Sequence, residues 1–292
     1  MRSALGEWLQ VREAADWAAR SEALVARVLT GTPSAGGLRV LDLASGAGSN
    51  VRYLAPRLAV RQHWRVVDRD AALLAAARVH LAAWASANGV AFRGDAAGCH
   101  LHGPVSEWTI EMCRRDLGSL DDMLFDGRDL VTASALLDLT ADVWIRDLAS
   151  RCRAAGATVL MALTYDGRVS CEPADADDEM VRDLFNRHQR TDKGLGGLAA
   201  GPGAHEAAVR AFTDVGYTVA AEPTDWRLDA GARTLQRPLI DGWAHAAIEM
   251  APERVETIER WRQRRLDHVE AGRSRLVVGH HDLAAWLPST GV

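Results

Sequence analysis

The chain has 292 residues, 48% of them hydrophobic and 25% charged, with a formal net charge of −5. This length allows one large domain or two small ones around a sizeable core. The acidic balance, with Arg interspersed among Asp and Glu, lacks the footprint of a nucleic-acid binder, and no apolar run reaches the ~18 residues of a membrane-spanning helix. The N-terminus is charged throughout and does not read as a signal peptide, so a cytoplasmic protein is expected.

Residues 3–31 carry helical periodicity through Leu5, Leu9, Trp17, Leu24 and Val28. Arg12, Asp16 and Arg20 recur there every fourth residue. They form either a surface ladder of ion pairs or the polar face of a helix that covers a pocket. "GTPSAGG" at 31–37 is a turn. An apolar strand at 38–43 then meets Gly46 and Gly48, and a helix follows over 51–59 despite Pro56. Residues 63–70 read as a strand ending on acid, and 71–87 as an Ala-rich helix stopped by Asn88-Gly89.

Residues 88–106 are mixed in character, and 107–117 alternate as a strand. A strand at 129–134, an amphipathic helix at 141–155 and a buried strand at 157–165 follow. Beyond Tyr165 come an Asp166-Gly167 turn, an acidic stretch, a helix at 175–190 and a glycine run to 203. A helix at 204–216, a strand at 217–228, helices at 232–250 and 252–271, and a last strand at 274–287 complete the chain. Alternating strands and helices imply an α/β fold with a doubly wound, mostly parallel sheet.

The four cysteines show no CxxC spacing and read as free thiols. Cys99, His100 and His102 sit close together but lack a fourth metal ligand at a recognisable spacing. "GHHD" at 279–282 is a similar case, read as part of a strand or turn. The ten tryptophans are spread along the chain and read first as packing residues.

"VLDLASGAGSN", 40–50, carries the most information. Glycines at a strand–helix turn let the backbone approach a ligand, and the helix start offers unpaired N–H groups. A P-loop needs a GK[ST] ending, which is absent. A dinucleotide fingerprint wants Gly or Ala where Val51 stands. A third ligand class places an acid before the glycines, and Asp42 is there.

Here the chain resembles the class I S-adenosylmethionine-dependent methyltransferases. Their motif, acid-x-Gly-x-Gly-x-Gly, reads Asp42-Leu43-Ala44-Ser45-Gly46-Ala47-Gly48, with Ala44 in place of the first glycine. The resemblance implies a seven-stranded sheet with N- and C-terminal helical additions. It implies that Asp42, Ala44, Ser45, Gly46 and Gly48 border S-adenosylmethionine, and that Asp68, beside Arg69, takes the ribose hydroxyls. The acid at the adenine is Asp95 or Asp116. Asp116, beside Leu117, is preferred because it follows the clear strand, which leaves 88–106 as an insertion. Ser134 and Ala135 border the methionine end, and Asp138 faces the substrate or caps the next helix. In domain terms, residues 1–37 form a helical cover and 38–292 the methyltransferase domain, with 166–203 a substrate lid and 232–271 a helical insertion before the last strand.

Lys193 is the only lysine, in "NRHQRTDKGLGG" at 186–197. His188 shares a helix face with Met180 and Leu184 and reads as a base or a half-buried histidine. Lys193 pairs with Asp192, holds a substrate anion, or is solvated. His188, Lys193 and Asp138 are the catalytic candidates. The expected reaction is methyl transfer to a small polar molecule, with no nucleic-acid or membrane partner. The alternatives are an NAD(P)-dependent oxidoreductase and a catalytically silent protein that binds the cofactor. Nothing in the sequence fixes the oligomeric state.

Overall fold

The computed structural model describes residues 4–30, 37–58, 61–95, 97–104 and 106–288, so most of the expected turn at 31–37 lies outside the described residues. The N-terminal periodic segment is two helices, α1 (Ala4–Ala19) and α2 (Glu22–Thr30). They break at Arg20 and Ser21. The Ser21 hydroxyl accepts from the Leu24 amide at 3.0 Å and starts α2, while Arg20 turns inward and is buried. Next come β1 (Leu38–Leu43), α3 (Ser49–Leu54), β2 (Arg61–Asp68) and α4 (Ala71–Ala87). Pro56 ends α3 early, in a short 3-10 turn at Ala55–Arg57. The ends of α4 follow local chemistry. Asp70 accepts from the Ala72 and Leu73 amides, and Asn88 is followed by left-handed Gly89.

The mixed stretch 88–106 contains an antiparallel hairpin, β3 (Ala91–Gly94) and β4 (Gly98–His102), laid against β5 (Glu107–Arg114). Cys99 and Leu101 point into the core while His100 and His102 point out, the alternation of a half-buried strand. Gly98 is required there because a Cβ would strike the Ile110 carbonyl. The remaining elements are α5 (Asp122–Phe125), β6 (Leu130–Ser134), α6 (Asp142–Ala155), β7 (Thr158–Glu172), α7 (Asp178–Gln189), α8 (Ala204–Asp214), β8 (Thr218–Pro223), β9 (Trp226–Leu228), α9 (Arg233–Met250), α10 (Val255–Glu270) and β10 (Arg275–Trp286).

Two expectations are corrected. The strand predicted to end at Tyr165 continues to Glu172. Asp166-Gly167 is not a chain-reversing turn. The Asp166 carboxylate accepts from the Arg168 amide at 2.9 Å and Gly167 takes φ 88°, and the irregularity is absorbed as a register shift against β10 between Val278 and His280. The predicted strand at 217–228 is two strands, β8 and β9, which pair with different parts of β10.

Among the described residues the strands form one ten-stranded sheet, ordered β3-β4-β5-β2-β1-β6-β7-β10-β8, with β9 on β10. Strands β5, β2, β1, β6 and β7 are parallel, and β10 runs antiparallel between β7 and β8. Those seven strands make the doubly wound, mostly parallel seven-stranded sheet that the sequence led one to expect. The β3–β4 hairpin and β9 are additions to it. Strand order reverses between β1 and β6, which opens a crevice beyond their carboxyl ends.

Side chains alternate across this sheet. Leu41, Leu43, Val131 and Met161 pack with Trp144, Leu148 and Phe212 of α6 and α8. Leu38, Val40, Leu130 and Leu160 pack with Val25 and Val28 of α2 and with Leu74 and Leu81 of α4. A third apolar cluster joins the outer halves of β7 and β10, β9, α7, α9 and α10. It builds a cap beyond the crevice.

A buried polar row lies under the α1–α2 elbow. The Arg20 Nη1 donates to Asn50 Oδ1 at 2.8 Å, and its Nε lies 3.5 Å from the fully buried Asp282 of β10. Asp282 also accepts from the amides of Leu163 and Ser21 and from the Thr224 hydroxyl. Removing one member of a buried pair strands the other charge, at about 3–5 kcal/mol. Arg20→Leu is therefore expected to lose stability on that order in urea unfolding. A loss below about 1 kcal/mol shows that the pair does not hold the elbow.

Candidate active site

The crevice is a cavity of about 450 Å³. One set of walls comes from the strand ends and the turns after them. It comprises Asp42 near the end of β1 with Ala44, Ser45 and Gly46 after it, Asp68 at the end of β2, and Ser134 at the end of β6 with Ala135 and Asp138 after it. Three consecutive parallel strands meet the cavity with a non-glycine residue in the left-handed region: Ala44 (φ 51°), Ala135 (φ 53°) and Leu163 (φ 55°). Such backbone costs on the order of 1–3 kcal/mol per residue and collects at functional sites. At Ala44 the conformation is the one that glycine in the family motif adopts freely.

Asp68 holds the turn in place. Its carboxylate accepts from the Gly46 amide at 2.8 Å and from the Asp70 amide at 2.9 Å. Each oxygen keeps acceptor capacity beyond those bonds. Asp42 is fully buried. Its Oδ1 accepts from Asn50 Nδ2 at 2.7 Å, while its Oδ2 is buried without a partner. Burial raises this carboxyl to about 6, against the pull of the Asn50 amide. Asp138 lies in a 3-10 turn, Leu137–Leu139, beyond β6. One of its oxygens is also buried and unpartnered. Burial raises it to about 6, and the nearby amides of Asp138 and Tyr165 and the charges of Arg12 and Lys193 oppose the rise.

Helix α1 lies over these walls. Leu5, Leu9, Arg12, Glu13 and Asp16 line the cavity from one face of it. Glu13 pairs with Arg52 of α3 at 2.7 Å, and Trp17 Nε1 donates to the Ser49 hydroxyl at 2.9 Å. The Arg12–Asp16–Arg20 series is therefore not a surface ladder. Arg12 does bond Asp16, but Asp16 is buried against Trp226 Nε1, and Arg20 turns to Asn50 and Asp282.

The other walls are aromatic, and sequence reading did not anticipate them. Trp8, Tyr165, Phe185, Trp226, Trp243 and His280 come from six different elements. Tryptophan spacing gives no hint of this, because tertiary structure brings the rings together. Asn50 was also missed. Its position two residues beyond Gly48 was the available signal.

Seven candidates do not reach the cavity wall. Gly48 (φ 75°) packs against Ala77 between α3 and α4, and the Leu117 side chain is in the core. Arg69 is exposed beside Gly194. Asp116 follows β5, is exposed, and accepts from the Gly118 amide at 2.7 Å. Asp95 sits in the β3–β4 turn, two strands further out, bonded to the amides of Ala97 and Gly98. His188 and Lys193 are satisfied elsewhere. Lys193 Nζ is 3.5 Å from His188 Nδ1, and His188 Nε2 is 3.0 Å from Glu249 of α9. An ammonium only donates, so Nδ1 accepts and the Nε2 proton faces Glu249. Lys193 does not pair with Asp192, which accepts from the Gly194 amide. Burial pulls the Lys193 ammonium down. The glycine run is docked, since Ala141 donates to the Leu195 carbonyl and Ala200 to the Thr140 carbonyl. Among the described residues no His, Cys, Asp or Glu group forms a metal site, and no helix is long and apolar enough to cross a membrane.

No protein-family model and no curated protein sequence matches the chain. Among solved structures it is similar to an S-adenosylmethionine-dependent methyltransferase from Geobacter sulfurreducens in complex with S-adenosylhomocysteine, at 14% identity and TM-score 0.44, covering 99% of this chain and 100% of that one. It is similar to a cyclopropane synthase from Mycobacterium tuberculosis, at 12% identity and TM-score 0.43, covering 89% and 82%. It is also similar to a phosphoethanolamine N-methyltransferase from Haemonchus contortus in complex with S-adenosylmethionine, at 15% identity and TM-score 0.45. That match covers 98% of this chain and 58% of the nematode protein, so the chain spans little more than half of its length.

Two expectations follow from the site. Ala44→Gly should retain the fold and gain up to about 1 kcal/mol of stability, because glycine adopts positive φ without the Cβ penalty; a clear loss in urea unfolding rules out strain at Ala44. A carboxyl raised from 3.8 to about 6 on folding binds its proton more tightly in the native state. Its contribution to stability is therefore lost as pH rises through that window. Asp138→Asn lacks the titration, so its stability relative to wild type should climb by about 2–3 kcal/mol between pH 4 and 6. Parallel wild-type and variant curves show that Asp138 is not raised.

Proposed function

We propose that the protein transfers a methyl group from S-adenosylmethionine to a small molecule with a polar acceptor atom. The observation that carries this reading is the pairing of two carboxylates with one left-handed turn at the strand-order reversal. Asp42 keeps a buried oxygen without a partner, and Asp68 keeps spare acceptor capacity on the cavity wall. These groups suit a ligand rich in hydroxyl and amino donors. Asp68 would hold the ribose hydroxyls. Asp42, Ser134 and Ala135, with the Ala44–Gly46 turn, would border the methionine end.

When bound, the cofactor supplies a methyl group already activated on a sulfonium. The chain's own residues then have to position the acceptor and exclude water. Helix α1 covers the strand ends through the Glu13–Arg52 and Trp17–Ser49 contacts, and Asp138 stands on the same wall as Ser134 and Ala135.

Two features disfavour a nicotinamide cofactor. Val51, where a dinucleotide site needs Gly or Ala for close packing, is fully buried between helix and sheet. The antiparallel β10 also departs from an all-parallel dinucleotide sheet. The buried oxygen of Asp138 that meets no partner within the chain favours an enzyme over a silent binder.

Titration calorimetry with S-adenosylhomocysteine, S-adenosylmethionine and NADH tests the reading. Micromolar affinity for the first two and none for NADH is expected. Asp68→Ala should weaken S-adenosylhomocysteine by about 10- to 100-fold, the loss of hydrogen bonds to a charged acceptor. Binding of NADH alone would overturn the reaction class.

A further inference from the structure

The six aromatic rings on the cavity wall form an unbroken arc. Trp8 meets Trp226 at 6.4 Å between centroids, and Trp226 meets His280 at 4.9 Å. His280 meets Tyr165 at 6.2 Å, Tyr165 meets Phe185 at 5.5 Å, and Phe185 meets Trp243 at 6.4 Å. Each ring comes from a different element: α1, β9, β10, β7, α7 and α9. Local sequence cannot produce such an arc. It exists because the outer halves of β7 and β10 carry the helical cap across the crevice.

The charges along this arc are already matched. Arg12 donates to Asp16 from Nε at 2.9 Å and from Nη2 at 3.1 Å, and its guanidinium lies 4.9 Å from the Trp226 ring centre. The cation seat on Trp226 is therefore taken by the chain itself. His280 is held neutral, its imidazole pushed down to about 3 by burial, with the Arg12 charge acting the same way. Four buried polar atoms of the cavity residues remain without partners: an oxygen of Asp42 on β1 and Nδ1 of His80 on α4, and, among the groups beside the arc, an oxygen of Asp138 and Nδ1 of His280. The aromatic side of the cavity, with its charges matched and only these last two groups open, suits a flat apolar ligand with one protic group.

We infer that the aromatic arc seats a neutral aromatic acceptor carrying a hydroxyl or amine, and that Asp138 takes the proton of that group. The inference rests on the methyl-transfer reading and names its acceptor class. As the acceptor oxygen or nitrogen bonds to the methyl carbon, the carbon–sulfur bond of the sulfonium donor breaks and its electron pair stays on sulfur. The proton displaced from the acceptor passes to the Asp138 carboxylate.

The test uses the full chain and three probes: 2-naphthol, its methyl ether 2-methoxynaphthalene, and choline. S-adenosylhomocysteine affinity is measured first by calorimetry. If it is absent, the methyl-transfer reading itself fails. If it is present, 2-naphthol is expected to bind the S-adenosylhomocysteine complex at least about tenfold more tightly than choline. Trp8→Leu and Phe185→Leu, both at half-buried positions, should weaken 2-naphthol about tenfold while S-adenosylhomocysteine affinity stays within about twofold, as expected for lost ring contacts. Thermal melting confirms that each variant is folded, and either one alone suffices for the comparison. Tighter choline binding assigns the arc to a cation and overturns the inference, as does the absence of 2-naphthol binding. For Asp138, wild type should prefer 2-naphthol to its ether by about 10-fold or more, and Asp138→Asn should lose that preference with ether affinity unchanged. An equal drop for both probes makes Asp138 merely structural, and a retained preference places the proton elsewhere.

Discussion

The guanidinium of Arg20 is buried where the cofactor turn, the N-terminal elbow and the antiparallel strand meet. It reaches Asn50, which in turn donates to Asp42 at the end of β1 and to Thr132 on β6. It also lies against Asp282, which fixes the Leu163 amide and the Ser21 amide. Asp42, Thr132 and Asp282 share one face of the sheet, because side chains alternate along each strand. A polar row on an otherwise apolar face is tolerated only when its members are mutually bonded. Burial lowers the proton affinity of Arg20, and Asp282 opposes that effect. The same row positions the roof. Once Arg20 is anchored, α1 must leave the elbow in the direction that carries Trp17 to Ser49 and Glu13 to Arg52.

This arrangement explains the strain at the crevice. The Leu163 amide is turned to Asp282, and Leu163 takes positive φ at the point where β7 and β10 change register. Beyond that point both strands run on into the cap. The bulge therefore separates the part of the sheet that forms the crevice from the part that carries aromatic rings over it. Ala44 and Ala135 bend their chains at the same level. Small residues at these bends leave space for a ligand to approach the backbone, and the surrounding hydrogen bonds hold a conformation that the residues alone would not choose.

Much of the architecture was legible locally. The helix at 71–87 carries its own stop and start signals in Asp70 and Asn88-Gly89, and the strand at 38–43 announces itself by an apolar run before glycine. The acids at 42, 68 and 138 were legible as residues of the crevice wall because they stand at or just beyond strand ends, where a doubly wound sheet collects its ligand groups. The errors have one physical origin. Asp166-Gly167 reads as a turn because those residues favour turns in isolation, yet pairing with β10 holds them inside a strand. The lone lysine stands out by rarity, but the helix before it packs on α9, where Lys193 meets His188 and His188 meets Glu249.

The sequence by itself determined the alternation of strands and helices, the acid–glycine turn and therefore the class of sheet, because periodicity, capping and glycine are local signals. Only the tertiary structure decided which polar residues of the N-terminal segment stand at the cavity. Arg12, Asp16 and Arg20 have the same spacing whether they lie on the surface or over a pocket, and the burial of Arg20 against Asp282, 262 positions away, separates the two. The aromatic arc is likewise a tertiary product. Its six rings lie on six elements spread from residue 8 to residue 280, and no window of sequence contains the long-range strand pairing that closes them around one space.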